Sequence, residues 1–247
     1  MPNAAAEARA ARVKKQAEKA AEKLATAERQ ARFHLLQQKQ KLMQVVEQRL
    51  TACRYIQTAH SKSSSFWLSS VLITSSDIVR YALAEVPFTR CVSFYYLTIS
   101  LDKLLERFTY GTNCHAHTKL QSLSQLFEEW EYYGGGTAMQ SMRLVMAKHA
   151  TSIHPTTLPQ QQEVGNTQEP GVRTNIFKFN GNVVFEHLLT PSVSMDLCYS
   201  DVIVGLSDSL QGMYSLFSFQ EEEYWRQNAL FESFIKLDKR VKEVYVS

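Results

Sequence analysis

The residues best suited to metal chemistry stand together near the middle of the chain. Cys114, His115 and His117 fall within four positions, and thiolate and imidazole are ligands that zinc prefers. Three candidates within four positions could complete a tetrahedral zinc site only if His149 or His154, more distant in the sequence, supplied a further ligand. No second CxxC or HxxxH pair stands nearby. The pattern therefore favours a polar loop, and we expect neither a metal nor another cofactor.

Two further patterns could serve catalysis but lack the partners that it needs. No base or nucleophile accompanies Glu128, Glu129 and Glu131, so these carboxylates predict a solvated acidic face. The glycine run 134–136 lies between two predicted helices, whereas phosphate-binding loops join a strand to a helix. No GxSxG, HExxH, Walker A or GxGxxG motif is present. We therefore predict that the chain is not an enzyme, and we assign no catalytic residue.

The cysteines are too widely spaced for a disulfide framework. The four of them, Cys53, Cys91, Cys114 and Cys198, form no CxxC pair, and in a chain of this size they indicate buried or reactive thiols in a reducing compartment. The best apolar run is about half the ~20 residues that a membrane-spanning helix needs. Because the N-terminus also lacks an apolar signal core, we expect a cytoplasmic protein. Its Ala-rich basic start leaves mitochondrial import as an alternative, which the Glu residues there oppose.

The elements that must position these residues are mainly helical. Residues 89–108 form the richest amphipathic pattern, with Pro87 as a stop before them and Gly111 where a left-handed helix cap is expected. Similar patterns predict helices over residues 75–85, 119–133, 138–149, 194–217 and 220–244. The 247 residues include only nine Gly and six Pro, which favours long helices over a loop-rich β fold.

One β-hairpin is predicted between the helices, at residues 175–187. The segments NIFKF and NVVFEH flank Asn180-Gly181, a dipeptide preferred in type I′ turns. In this register Phe177 lies opposite Val184. Two strands alone are marginally stable, so we expect the hairpin to pack on helices or to offer an edge to a partner.

The first 52 residues form a distinct basic arm. Residues 1–50 carry eleven Lys or Arg and five Asp or Glu, whereas the remainder carries sixteen and nineteen. Strong helix formers dominate residues 4–52 and predict one continuous helix. Alternating steps of four and three residues connect an alanine-rich, heptad-like seam: Val13, Ala17, Ala20, Leu24, Ala27 and Ala31. The seam then strengthens through the four side chains that we predict to bind a partner: Leu35, Leu42, Val46 and Leu50.

These patterns predict a mainly α protein in two parts. A helical arm, and possible coiled coil, occupies residues 1–52, and an α-helical domain with one hairpin occupies residues 53–247. Within that domain, residues 151–172 have three prolines, a Gln run and no apolar period, which predicts a flexible loop. The run FWLSSVLIT at residues 66–74 fits a strand or a buried helix equally well.

Two functions are consistent with this organisation. The first is a non-enzymatic intracellular scaffold, for example one associated with the cytoskeleton, whose arm dimerises or docks to a larger assembly. The second is a peripheral binder of anionic membrane lipid or RNA. It would use six basic residues of the arm: Arg9, Arg12, Lys14, Lys15, Lys19 and Lys23. No aromatic residues are interleaved with these charges and the domain is net acidic, so the second function is the weaker hypothesis.

Overall fold

α-Helices dominate the structure, as the sequence predicts. The computed structural model describes residues 3–67, 70–111, 115–135, 177–179, 182–193, 197–218 and 222–246. The helices in these ranges are α1 (Asn3–Ser61), α2 (Ser75–Glu85), α3 (Phe88–Tyr110), α4 (Ala116–Gly134), α5 (Tyr199–Ser215), α6 (Glu223–Arg226) and α7 (Asn228–Val246). Two antiparallel hairpins accompany them, β1 (Ser64–Trp67) with β2 (Val71–Thr74), and β3 (Phe177–Phe179) with β4 (Asn182–Val184). The predicted mainly α class is confirmed.

Helix α3 lies at the centre of the core because it is buried on two sides. One side packs along α5, with Leu105 against Gly212. Another side faces α4, where Phe94 stacks on Trp130 with ring centroids 6.1 Å apart. The amphipathic pattern predicts a single inner face for this helix, whereas the structure buries it on more than one side, with Leu97 and Leu101 completely buried. A helix between two neighbours needs a wider apolar surface than one amphipathic stripe.

Helix α1 runs through the predicted boundary between residues 52 and 53 without a break. Its C-terminal half packs on α5, and Leu42, Val46 and Cys53 belong to the buried core of the chain. Leu50 is half-buried against the same core, and Leu35 is half-buried at the point where the helix leaves it. This corrects the predicted interface, because the chain's own core covers Leu42 and Val46.

The helix ends follow from local chemistry, with some departures from expectation. Thr74 and Asp77 form a reciprocal capping box at the start of α2. Helix α3 begins at Phe88 behind Pro87, without a side-chain cap. Gly111 has φ −77° rather than the expected left-handed conformation, and its N–H donates to the Arg107 carbonyl oxygen at 2.8 Å. The helix predicted over 220–244 is divided, since α6 ends before α7 begins.

The hairpins resolve the β predictions. Phe177 pairs with Val184, which confirms the predicted register. Of the run at residues 66–74, left open between strand and helix, residues 66–67 lie in β1 and residues 71–74 in β2, with Phe66 opposite Leu72. The predicted helix over 138–149 and the predicted loop over 151–172 lie outside the described residues.

The burial of Leu42 yields a stability prediction. Leu42 is 3% exposed, so Leu42→Ala should lower the free energy of unfolding by about 2–5 kcal/mol through lost apolar burial and a cavity. Leu36→Ala is the matched control, since Leu36 lies on the same helix but is 63% exposed, and it should change stability by less than ~0.5 kcal/mol. Urea denaturation followed by circular dichroism measures both. Equal effects of the two substitutions would contradict the packing of α1 described here.

Candidate functional site

Among the residues that the structure describes, the N-terminal part of α1 is a long exposed stretch of helix. Residues 14–37, referred to below as the exposed arm, are all exposed except for the half-buried Leu35. At a rise of 1.5 Å per residue this segment extends about 36 Å. An extended solvated helix that continues a buried one is typical of a segment that meets another molecule.

The exposed arm carries an apolar stripe that continues the buried face of α1. At about 100° per residue, the seam of the arm aligns with the side of α1 that enters the core at Leu42. The seam consists of Ala17, Ala20, Leu24, Ala27 and Ala31, all of them exposed. Leu24, its largest member, is 64% exposed, while Phe33 lies on the opposite side of the helix at 63%. Toward its C-terminal end the stripe therefore enters the core, and toward its N-terminal end it lies in solvent.

A buried ionic network fixes the arm to the domain. Arg49 of α1 donates two hydrogen bonds to the Asp238 carboxylate of α7, at 2.7 and 3.0 Å. The Tyr214 hydroxyl of α5 donates to the same carboxylate at 2.9 Å. Burial raises the pKa of Tyr214, and the neighbouring Asp238 raises it further, so this hydroxyl remains a donor. Three helices thus meet at one carboxylate.

The basic residues of the arm do not form a focused anion site. Lys14, Lys15, Lys19 and Lys23 are exposed, but at about 100° per residue they spread over roughly half of the helix circumference. Glu18 and Glu22 lie among them, which weakens the positive field. The side chains of Arg9 and Arg12 lie outside the described residues. The opposite face offers mainly Ala methyl groups, whereas helices that lie on membranes present large apolar side chains there.

Glu129 has a structural task that the sequence did not indicate. It is 1% exposed and not part of a solvated acidic face. Its two carboxylate oxygens accept the backbone N–H groups of residues 186, 187 and 188 at 2.8–2.9 Å, and Gln125 donates to it as well. Glu129 falls three positions after Leu126, on the inner face of α4, and this spacing is the signal that could have revealed its burial.

A second exposed apolar surface is formed by the β1–β2 hairpin and α2, referred to below as the apolar lobe. Helix α2 buries none of its residues. The large apolar side chains exposed on the lobe are Phe66, Val71, Leu72, Val79, Tyr81 and Leu83. Phe66 and Leu72 are cross-strand partners on one face of the hairpin, and neighbouring exposed apolar side chains of this kind are typical of protein–protein contact sites.

A groove of about 680 Å³ opens between the start of α3 and the ends of α4 and α7. The Trp130 indole nitrogen on its wall donates to the Ser93 carbonyl oxygen at 2.9 Å. Arg240 lies 3.9 Å from a Glu131 carboxylate oxygen and donates to the Ser124 carbonyl oxygen at 3.3 Å. These polar groups are engaged with other groups of the protein.

Nothing in the described part of the chain points to a metal centre or a membrane span. Across those residues no group of three or more His, Cys, Asp or Glu side chains could hold a metal ion; Cys114 of the predicted cluster lies outside them. No described helix is long and apolar enough to cross a bilayer. Comparison of the chain with protein-family models, with curated proteins and with solved structures finds no match. The fold is that of a mainly helical protein with a long N-terminal helix, and its exposed surfaces are the features that bear on function.

The buried His187 and the half-buried His60 should make the stability of the protein depend on pH. Burial lowers the pKa of His187, although Glu186 and Glu129 oppose this, and burial also lowers the pKa of His60. Both are lowered from 6.5, so the unfolded chain takes up protons that the native imidazoles do not. The free energy of unfolding should therefore be constant above about pH 6.5 and fall as the pH decreases below it.

Urea unfolding between pH 7.5 and pH 5 tests this prediction. His187→Gln should make the decline shallower, because one of the two proton-binding differences is removed. His34→Gln, the same substitution at an exposed position on the arm, is the matched control for replacing an imidazole with an amide. The same slope in the wild type and in His187→Gln would refute the assignment.

Proposed function

We propose that the chain is a non-enzymatic interaction protein whose exposed arm pairs with the arm of a second copy. The observation that carries the proposal is the contrast along one helix: one face of α1 is buried from about residue 38 onward, whereas the same face is exposed before it, and the apolar stripe continues across that boundary. A helical stripe without a partner within its own chain is suited to a partner outside it.

The spacing of the stripe supports a second copy as the partner. With Ala17, Leu24 and Ala31 at heptad a positions, Ala20 and Ala27 occupy d positions. The small Ala side chains allow two identical helices to approach closely, and a two-fold axis makes the same stripe self-complementary. Lys23 then occupies a g position and Glu28 an e position. In a parallel pair these oppositely charged residues face each other across the interface, twice by symmetry.

The apolar lobe supports the broader proposal of an interaction protein. Its exposed side chains and the exposed stripe of the arm lie on different elements of the chain, which suits a protein that holds more than one partner. A role as a scaffold in a larger assembly accommodates both surfaces.

The molar mass in solution tests the proposed pairing. Light scattering coupled to size-exclusion chromatography should give the full chain about twice its mass of 28.2 kDa. A truncation beginning at Leu35 should be monomeric. This truncation keeps Leu42 and Arg49, so the contacts of α1 with the core are retained. A monomeric full chain at ~100 µM would overturn self-association, since coiled-coil pairs useful in a cell form well below that concentration.

Two substitutions distinguish the seam from the remainder of the arm. Leu24→Asp places a charge in the seam and should abolish the dimer. Phe33→Asp makes the same change at equal exposure on the opposite side of the helix, and it should leave the dimer intact. Loss of the dimer in both variants would mean that the contact is not the predicted stripe. A monomer that binds anionic vesicles or RNA, and loses them as salt increases, would instead support the peripheral-binder hypothesis.

A further inference from the structure

Helices α3 and α5 pack side by side in a constant register. The Ser209 hydroxyl of α5 donates to the Asp102 carboxylate of α3 at 2.5 Å, and these residues are separated by 107 positions. Gly205 faces Thr98 and Gly212 faces Leu105 at the same separation. Because the sequence numbers increase together along both helices, α3 and α5 run parallel.

Glycine at two of these contacts draws the helices together. A Cβ atom at Gly205 would lie 3.5 Å from the Thr98 Cγ2 atom, and one at Gly212 would lie 2.9 Å from the Leu105 Cδ1 atom. The second distance is too short for an ordinary carbon contact, so a larger residue at Gly212 would require the end of the Leu105 side chain to move. The two glycines thus let the backbones of α3 and α5 lie close together, as a disulfide between them requires, since the Cα atoms of a disulfide lie roughly 4.4–6.8 Å apart.

The next pair in this register is Cys91 and Cys198, seven residues before Thr98 and Gly205. Cys91 lies in the first turns of α3 and is buried, while Cys198 is the exposed residue that precedes α5. We propose that Cys91 and Cys198 form a thiol–disulfide modification site that is oxidised by glutathione disulfide. This site is independent of the exposed arm and of the proposed pairing.

Exposure sets the order of the two steps. Burial raises the pKa of Cys91 and the neighbouring Cys198 thiol raises it further, so Cys91 remains protonated when Cys198 reacts. The Cys198 thiolate attacks glutathione disulfide; a bond forms between Cys198 Sγ and one glutathione sulfur, and the other glutathione leaves as a thiolate. Cys91 then loses its proton to water and attacks Cys198 Sγ, which releases the second glutathione. The two protein thiols give up two electrons, and glutathione disulfide becomes two glutathione molecules.

Peptide mapping without reduction tests the site. The full chain is equilibrated in glutathione buffers of increasing disulfide fraction, alkylated and digested with trypsin. Cleavage after Arg90 and Lys103 separates the Cys91 peptide from the peptide that holds Cys198. We expect the linked pair of peptides to accumulate as the disulfide fraction rises and to vanish on addition of dithiothreitol.

Two variants make the result specific. In Cys91→Ser, Cys198 should stop at the mixed disulfide with glutathione, since no second thiol releases it. In Cys198→Ser, the buried Cys91 should remain reduced. Wild-type Cys198 that stays in the mixed disulfide, or that links to Cys53 or Cys114 instead, would overturn the proposal. Because Cys198 is exposed, Cys198→Ser should retain the wild-type circular dichroism spectrum, which excludes misfolding as the cause of its behaviour.

Discussion

Insertion of the C-terminal half of α1 into the helical bundle is the packing on which the rest of the structure depends. Leu42, Val46 and Cys53 fill the core from this helix, and Arg49 enters with a charge that Asp238 neutralises. Arg49 is partly buried and Asp238 is buried, so loss of either partner leaves the other charge poorly compensated and destabilises the fold. The same carboxylate accepts from Tyr214, so the position of α1 is coupled to α5 and α7 together.

This anchoring determines what the exposed arm can do. Helix α1 contains neither Gly nor Pro from Asn3 to Ser61, so no residue of either kind supplies a hinge between its buried and exposed parts. A partner bound to the arm is therefore held in a defined orientation to the bundle. Rigidity of this kind suits a scaffold, because less conformational entropy is lost on binding than with a flexible tether.

The helices could be predicted from the sequence, but which element packs against each helix face could not. Cap-type residues and apolar spacing predicted α2 as a short helix that ends at Glu85, and Asn180-Gly181 predicted the register of Phe177 with Val184. The same periodicity made the stripe of α1 visible without showing where the core would end along it. Leu24 and Leu42 belong to one stripe, and only contacts with α5, more than 150 residues away, make one of them exposed and the other buried.

Polar residues inside the core were the hardest to predict, because their partners are backbone groups rather than side chains. Glu129 was assigned to a solvated face from its acidic neighbours. It lies inside because residues 186–188 have N–H groups that no strand or helix satisfies. Ser100 accepts the N–H of Leu189, and Tyr96 donates to the carbonyl oxygen of Pro191, in the same way. Backbone groups of an irregular segment require hydrogen-bond partners only once that segment is packed, and the sequence pattern does not indicate which side chains will supply them.

The proposed thiol site and the apolar lobe meet at the start of α5. Helix α2 packs against α5, and Tyr199, next to Cys198, has a pKa that is raised mainly by burial and also by Tyr81 of α2. A covalent bond at Cys198 would therefore restrain the helix end on which the lobe rests. The exposed arm leaves the bundle from a different helix, so oxidation at this position would act on the lobe and leave the pairing stripe of α1 unaffected.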